Sequence, residues 1–177
     1  KLMAADLRAV VKPGRELLAI ALRAKLINHQ TVRRAARNAS AHYDIGNDLY
    51  ERMLDKRMIY SCGYWRDVGD LDTAQEAKLE LICAKLGLEP GMRLLDIGCG
   101  WGGLAQYAAE RHGAKVTGIS PAAEQVKVAA RRCAGLDVEI RQCDFREVTG
   151  RYDRIVSVGM LEHVGPKNFE AFFDVNA

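Results

Sequence analysis

The sequence predicts an α/β fold with a doubly wound, mainly parallel sheet, preceded by a helical amino-terminal segment. Short apolar strands alternate with helix-like stretches from residue 93 onward, a pattern typical of right-handed βαβ units. The chain of 177 residues is 49% hydrophobic and 28% charged, so it is long enough to bury an ordinary core. In sheets of this class, ligands bind beyond the carboxyl ends of the strands.

Residues 1–41 combine helical spacing of apolar residues with a strong positive charge. Nine basic and two acidic residues give this segment a net charge of +7, against −4 for the rest of a chain whose total is +3. Apolar residues recur from 7 to 36 with an interruption at Lys12–Pro13–Gly14, which predicts a short helix, a turn and a longer helix. Two interpretations stay open: a helix on an anionic membrane surface, or a solvated face packed on the main domain.

Residues 42–72 are predicted to form a cap region over a binding site. They mix aromatic, glycine and polar residues, which is typical of a helix followed by an ordered loop. A helix is predicted over 73–86, with Gly87 as its stop and a turn at Pro90–Gly91. Residues 73–177 are the third predicted unit, the amino-terminal part of the sheet domain.

Strands and helices then alternate in order along this third unit. The predicted elements are strand Arg93–Ile97, helix Gly102–Arg111, strand Lys115–Ile119, helix Pro121–Cys133, strand Val138–Cys143 and strand Arg154–Val158. Pro166 opens a last helix at its favoured first-turn position.

The first strand runs into a glycine-rich turn at residues 96–103, DIGCGWGG. Gly98, Gly100 and Gly103 fit the G-x-G-x-x-G spacing, in which backbone approaches a ligand and the third glycine allows close packing. Gly102 lies in the same turn and is included among the candidate cofactor-binding residues. The spacing alone does not separate a dinucleotide from other nucleoside cofactors.

Two features of this region favour S-adenosylmethionine over a dinucleotide. The carboxylate of Asp96 precedes the first glycine by two residues, where it attracts a cationic ligand and repels a pyrophosphate. The second strand ends at Ser120, without the acid that a nicotinamide enzyme uses for its ribose. Ser120 or Gln125 would then supply the polar ribose contacts.

Asp144 and Phe145 follow the third strand and are candidate adenine contacts. Asp144 is placed to accept a hydrogen bond from an adenine amino group, with Phe145 against the ring. The alternative is that Asp144 merely caps a turn, as aspartate often does.

Four segments carry a resemblance to a known family: HYDIGNDLY at 42–50, YSCGYW at 60–65, LLDIGCGWGGLA at 94–105 and IVSVGMLEHVGPK at 155–167. They resemble the cyclopropane fatty acid synthases and the related mycolic acid cyclopropane synthases, over about residues 40–175. The resemblance implies a Rossmann-like class I methyltransferase fold. It also implies transfer of the methyl group of S-adenosylmethionine to a cis double bond of an unsaturated phospholipid acyl chain, followed by proton loss that closes a cyclopropane ring.

The same resemblance implies roles for individual residues. Tyr60 and Ser61 would contact the cofactor, together with the glycine loop and residues 120–125, and Cys62 and Glu162 would hold a bicarbonate that acts as the base. The chain has Ser120–Pro121–Ala122 where the family usually has Thr-x-Ser, so one hydroxyl is lost. From spacing alone, Cys62 is equally a buried loop thiol and Glu162 equally an acid at a helix amino terminus.

Other classes of function are weaker interpretations of the sequence. Methyl transfer without ring closure and a non-catalytic cofactor-binding or lipid-surface module stay open, whereas the missing ribose acid disfavours a dehydrogenase. No aromatic-interleaved basic stripe covers the βαβ part, so no nucleic acid is expected as a partner.

The remaining expectations concern location and completeness. Neither a signal peptide nor a membrane span is evident, so a cytoplasmic protein is expected. The five cysteines have neither metal nor disulfide spacing, which fits a reducing compartment and a protein without a metal. The basic segment and the lipid substrate that the resemblance implies predict peripheral membrane association. The chain begins at Lys1 and stops soon after a helix-like segment, which predicts a longer protein. The resemblance implies further strands and bicarbonate-holding residues after Ala177, so the fragment is expected to be inactive alone. The exposed sheet edge favours a homodimer.

Overall fold

The computed structural model describes residues 46–175 continuously and, before them, residues 22, 28, 30–32, 34–35 and 37–38. Most of the predicted basic segment 1–41 and the first residues of the cap region therefore lie outside the described residues. The predicted helix, turn and longer helix of that segment stay predictions.

Residues 46–175 form six α-helices, four strands and two short 3-10 helices. In chain order they are α1 Asn47–Met53, α2 Leu71–Leu86, β1 Arg93–Ile97, α3 Gly103–His112, β2 Lys115–Ser120, α4 Ala123–Arg132, β3 Val138–Gln142, a 3-10 helix Phe145–Glu147, β4 Arg154–Val156, α5 Leu161–Val164, a 3-10 helix Pro166–Asn168 and α6 Phe169–Val175.

The four strands form one parallel sheet with the order β3-β2-β1-β4, which confirms the predicted sheet. Leu95 in β1 pairs with Thr117 of β2 on one side and Ile155 of β4 on the other. The chain runs outward from β1 through β2 to β3 and returns to the opposite side of β1 with β4. The reversal of strand order beside β1 creates the crevice in which such folds bind ligands.

Alternating residues of β1 contribute to a core on each face of the sheet. Leu94 packs with the buried side chains of α2 and α3, among them Leu79 and Leu104. Leu95 and Ile97 point to the other face, where residues of α5, α6 and the first 3-10 helix cover them. With both faces covered, β1 is apolar apart from its exposed first residue and one buried acid, Asp96.

Local sequence sets the ends of the helices. Asp70 accepts a hydrogen bond from the Thr73 amide at the start of α2, and Gly87 ends that helix in the left-handed region at φ 56°. The helix predicted from Pro121 begins two residues later, at Ala123, because Ser120 completes β2 and its hydroxyl accepts from the Ala122 amide.

Candidate functional site

A cavity of about 420 Å³ lies beyond the carboxyl ends of β1 and β2. It is bounded by the cap region, α2, the glycine loop and the segments that follow β2, β3 and β4. Nine of the predicted site residues line it: Tyr60, Ser61, Asp96, Gly98, Gly100, Ser120, Gln125, Asp144 and Phe145. The other three, Gly102, Cys62 and Glu162, are outside its lining.

The glycine loop turns through the left-handed region and leaves room beside its backbone. Gly98 and Gly100 have φ of 84° and 56°, and the Gly98 amide donates to the carbonyl of Ile119 in β2. A β-carbon placed on Gly100 would meet no atom within 4 Å, so the open space begins directly at the backbone. Side chains are disfavoured at such φ values, which makes glycine the suitable residue here.

Gly102 and Gly103 serve packing. A β-carbon on Gly102 would lie 3.0 Å from the Ala129 β-carbon of α4, and one on Gly103 would lie 2.7 Å from the Arg57 carbonyl oxygen. The third glycine of the motif therefore lets the cap region, at Arg57, approach the start of α3. Gly102, predicted as a cofactor contact, lies against α4 instead of the cavity.

Asp96 is a deeply buried acid of the site. Its side chain is 2% exposed, and its Oδ2 atom has no hydrogen-bond partner among the described residues. Burial away from water disfavours the ionised form and raises the pKa of Asp96 from 3.8 to about 7. A cation bound in the cavity would supply the missing partner for Oδ2 and favour the carboxylate.

The end of β2 supplies a buried polar pair to the cavity. The Ser120 hydroxyl donates to Oε1 of Gln125 over 3.0 Å, and both residues are at most 5% exposed. Because the carbonyl oxygen of Gln125 is used in this way, its amide nitrogen is the donor that the pair can offer to a ligand.

Asp144 has the capping role that the sequence left as an alternative. Its Oδ1 accepts from the Arg146 amide, and Glu147 accepts in return from the Asp144 amide, so the 3-10 helix begins with a capping box. The Arg146 side chain also holds both carboxylate oxygens, at 2.6 and 2.7 Å. An adenine amino group at Asp144 would have to share a carboxylate that Arg146 already binds.

Phe145 is 4% exposed and lies between two partners. Its ring contacts Phe172 edge to face at a centroid distance of 5.4 Å, and the Arg146 guanidinium lies 5.0 Å from its centroid.

The cap region is bound to the glycine loop through Trp101. The Trp101 indole donates to Oδ1 of Asn47 over 2.9 Å, and its ring lies 4.7 Å from that of Tyr50. Tyr60 is 53% exposed and contacts the Tyr50 ring at 5.4 Å. This aromatic cluster fixes residues 47–60 against the loop.

Cys62 and Glu162 are both exposed, and each is adjacent in sequence to a residue that lines the cavity, Ser61 and His163 respectively. Glu162 belongs to the first turn of α5, the short helix after β4. A β-carbon placed on Gly159 would lie 3.8 Å from the Ser61 β-carbon and 3.9 Å from Oε1 of Glu162. Ser61 and the Glu162 carboxylate therefore both lie beside Gly159.

Sequence reasoning missed several residues of the cavity wall. Lys78, Arg146, Met160 and His163 line it. Lys78 lies inside a helical stretch rich in charged residues, where no spacing distinguishes it from an ordinary surface lysine. By contrast, the D-x-x-E pattern at 144–147 is a recognisable signal for the capping box formed by Asp144 and Glu147.

Neither a metal cluster nor a membrane-spanning helix occurs in the described part of the chain. No group of three or more His, Cys, Asp or Glu side chains there could hold a metal ion. None of the helices observed there is long and apolar enough to cross a bilayer.

The sheet order, the glycine loop and the buried acid at the end of β1 define a Rossmann-like domain of the class I methyltransferase type. The crystal structure of mycolic acid cyclopropane synthase CmaA1 complexed with SAH and CTAB matches it with a TM-score of 0.76 and 36% identity, over 80% of this chain and 51% of that one. The chain belongs to the mycolic acid cyclopropane synthetase family, whose family model matches residues 30–177.

The chain is also similar in sequence to two bacterial lipid-modifying proteins, as their names indicate. The chain is 56% identical to the cyclopropane-fatty-acyl-phospholipid synthase of Escherichia coli K12 over 152 residues, which are 86% of this chain and 40% of that protein. It is 46% identical to a probable fatty acid methyltransferase of Pseudomonas putida, over 75% of this chain and 36% of that protein. The chain thus spans between about one third and one half of the length of these proteins.

Proposed function

We propose that this chain is the cofactor-binding part of an enzyme that converts the cis double bonds of unsaturated phospholipid acyl chains into cyclopropane rings with S-adenosylmethionine. The cavity beyond β1 and β2, with the unpaired buried oxygen of Asp96, is the observation that carries the cofactor assignment. The 56% identity to the Escherichia coli synthase supports the choice of reaction.

The residues of the cavity fit S-adenosylmethionine in charge and in shape. Asp96 offers an unpaired oxygen to a cation, and the open space at Gly100 lets a ligand touch backbone. Gln125 would donate to the ribose, and Phe145 would bound the adenine side. When bound, the cofactor supplies an electrophilic methyl group on a sulfonium.

The protein's own contribution is to hold the alkene in line with this methyl group and to exclude water. An alkene is a weak nucleophile, and the cation formed on the acyl chain must lose a proton before water adds to it. The new carbon would lose that proton as the ring closes, so the lipid would gain CH2, with S-adenosylhomocysteine and one proton as the other products. A base must therefore lie beside the acyl chain.

A bicarbonate held by Cys62 and Glu162 is the proposed base. Both side chains are exposed, Cys62 follows the cavity residue Ser61, and Glu162 and Ser61 both lie beside Gly159. Two anions repel, so the Glu162 carboxylate would face the protonated oxygen of bicarbonate and accept its hydrogen bond.

An anionic membrane surface is the proposed site of action, which would make the protein cytoplasmic and peripherally attached. Besides the +7 segment 1–41, the cap region exposes large apolar side chains of the kind that enter the headgroup zone. They are Leu49, Met53, Tyr60, Tyr64 and Trp65. A homodimer that covers a sheet edge stays a prediction, which sedimentation of the full-length protein would test.

Methyl transfer without ring closure is the second candidate, because the Pseudomonas putida relative is named a fatty acid methyltransferase. One experiment separates the two. The full-length protein is incubated with methyl-labelled S-adenosylmethionine and vesicles of unsaturated phospholipid, and the extracted lipid is analysed by proton NMR. Upfield cyclopropane signals are expected, a methyl branch would establish the second candidate, and unlabelled lipid would refute both.

A further inference from the structure

Lys78 lies in the cavity wall and reaches the segment that closes it. Its ammonium donates to the Ser61 hydroxyl oxygen over 2.7 Å, and both residues line the cavity. No carboxylate within the described ranges forms an ion pair with Lys78. Burial lowers the pKa of the Lys78 ammonium, while the nearby Cys62 and Asp55 act in the opposite direction.

The direction of this hydrogen bond determines what Ser61 can do. An ammonium group only donates, so the Ser61 oxygen accepts and its single proton is left for another acceptor. Gln75, one turn before Lys78 in α2, donates to the Ser61 carbonyl over 2.7 Å and fixes the backbone as well. Ser61 therefore presents a hydroxyl that a neighbouring positive charge makes a stronger donor, which is suited to an anion.

We propose that Lys78, acting through the Ser61 hydroxyl, is a positioning residue for the carboxylate of the cofactor's amino-acid end. Asp96 lines the same cavity and offers an unpaired oxygen to the ammonium of that amino acid. The ammonium of Lys78 thus lies on one wall of the cavity and the acid Asp96 on another. An amino-acid zwitterion would need both, the first for its carboxylate and the second for its ammonium. This inference rests on the proposed cofactor and specifies which end of it meets which wall.

The test compares S-adenosylhomocysteine with its decarboxylated analogue, which keeps the ammonium and lacks the carboxylate. Dissociation constants are measured by calorimetry on the full-length protein and on Lys78→Met. The unmodified protein should prefer S-adenosylhomocysteine, and Lys78→Met should reduce that preference at least about tenfold, because it removes the charged hydrogen bond that orients and polarises the Ser61 hydroxyl. Binding of the analogue should change less than about twofold.

Two further variants separate positioning from support of the fold. Ser61→Ala should remove the same preference, and the double variant should lose no more than either single one, because both residues act on one contact. Lys85→Met is the matched control, since Lys85 is an exposed lysine in the last turn of the same helix. If Lys78→Met does not fold, Ser61→Ala still decides the question.

An equal loss of affinity for both ligands would overturn the inference and leave Lys78 with a structural role. An unchanged preference with a shifted bicarbonate dependence of turnover would also overturn it, because the anion would then be free bicarbonate. If the unmodified protein binds neither ligand, the proposed cofactor itself fails, which is distinguishable from a failure at Lys78 alone.

Discussion

The substitution Asp96→Asn should make the ligand-free protein more stable at neutral and alkaline pH. The pKa of Asp96 is raised from 3.8 to about 7 by burial, so the folded protein carries a proton there that the unfolded chain has already lost. Stability is therefore highest below the unfolded pKa and declines as pH rises through the folded pKa. This rise in the pKa of Asp96 corresponds to a loss of about 4 kcal/mol of unfolding free energy once the pH exceeds the folded pKa.

Asparagine stays neutral, so the variant does not share this decline. The free energy of unfolding of Asp96→Asn minus that of the unmodified protein should increase by about 3 kcal/mol between about pH 5 and about pH 8. The new amide nitrogen needs a partner and costs about 1–3 kcal/mol, but that cost does not vary with pH and leaves the slope intact.

Urea unfolding of the ligand-free, full-length protein at several pH values measures this difference. Asp67→Asn is the control, because the Asp67 side chain is 91% exposed and its removal should produce little slope. Asp96→Asn should also weaken S-adenosylhomocysteine binding at about pH 8, where the unmodified carboxylate is ionised. A stability difference that is flat with pH would refute the account of Asp96 as a buried, unsatisfied acid.

Two other substitutions test the site, and a peptide tests the basic segment 1–41. Gly100→Ala should weaken S-adenosylhomocysteine binding at least about tenfold, because the new methyl group fills the open space beside the backbone. Gly87 has the same φ of 56° but lies outside the cavity, so Gly87→Ala should leave binding unchanged. Equal losses of affinity in the two variants would point to backbone strain instead. Glu162→Gln should lower turnover about a hundredfold with little effect on cofactor affinity. Glu170 is an exposed glutamate, and Glu170→Gln should change neither quantity. Parallel losses of turnover and affinity in Glu162→Gln would show that Glu162 contacts the cofactor or stabilises the fold. A peptide of residues 1–41 should bind anionic vesicles more than neutral ones, and salt should remove the preference; binding that ignores salt would favour ordinary helix packing.

The parallel sheet was predictable because its signals are local. Strand β1 has the predicted bounds of Arg93–Ile97, since an apolar run between a turn and a glycine loop marks both ends. The short helix α5, Leu161–Val164, was missed because four residues are too few to show helical spacing. The sequence placed a strand over 154–158, whereas β4 ends at 156, where its pairing with β1 stops.

The cavity was predictable only in part. Asp96, Gly98 and Gly100 follow a motif, so their place beside a ligand could be expected from spacing alone. Lys78 has no motif, and its function depends on a contact with Ser61, 17 residues away along the chain. Arg146 could be recognised as a partner of Asp144 only from the structure, because adjacency in sequence does not show where a long side chain points.

The packing of Trp101 against Asn47 and Tyr50 limits where this protein can be cut into separate fragments. Sequence composition suggests a boundary between residues 72 and 73, yet Trp101, in the sheet domain, is 2% exposed because Asn47 and Tyr50 of the cap region cover it. A piece cut at that boundary would expose a large indole inside its own glycine loop. The cap and the loop therefore share one packed cluster, and a chimaera that exchanges caps between relatives should carry residues 47–60 and Trp101 together.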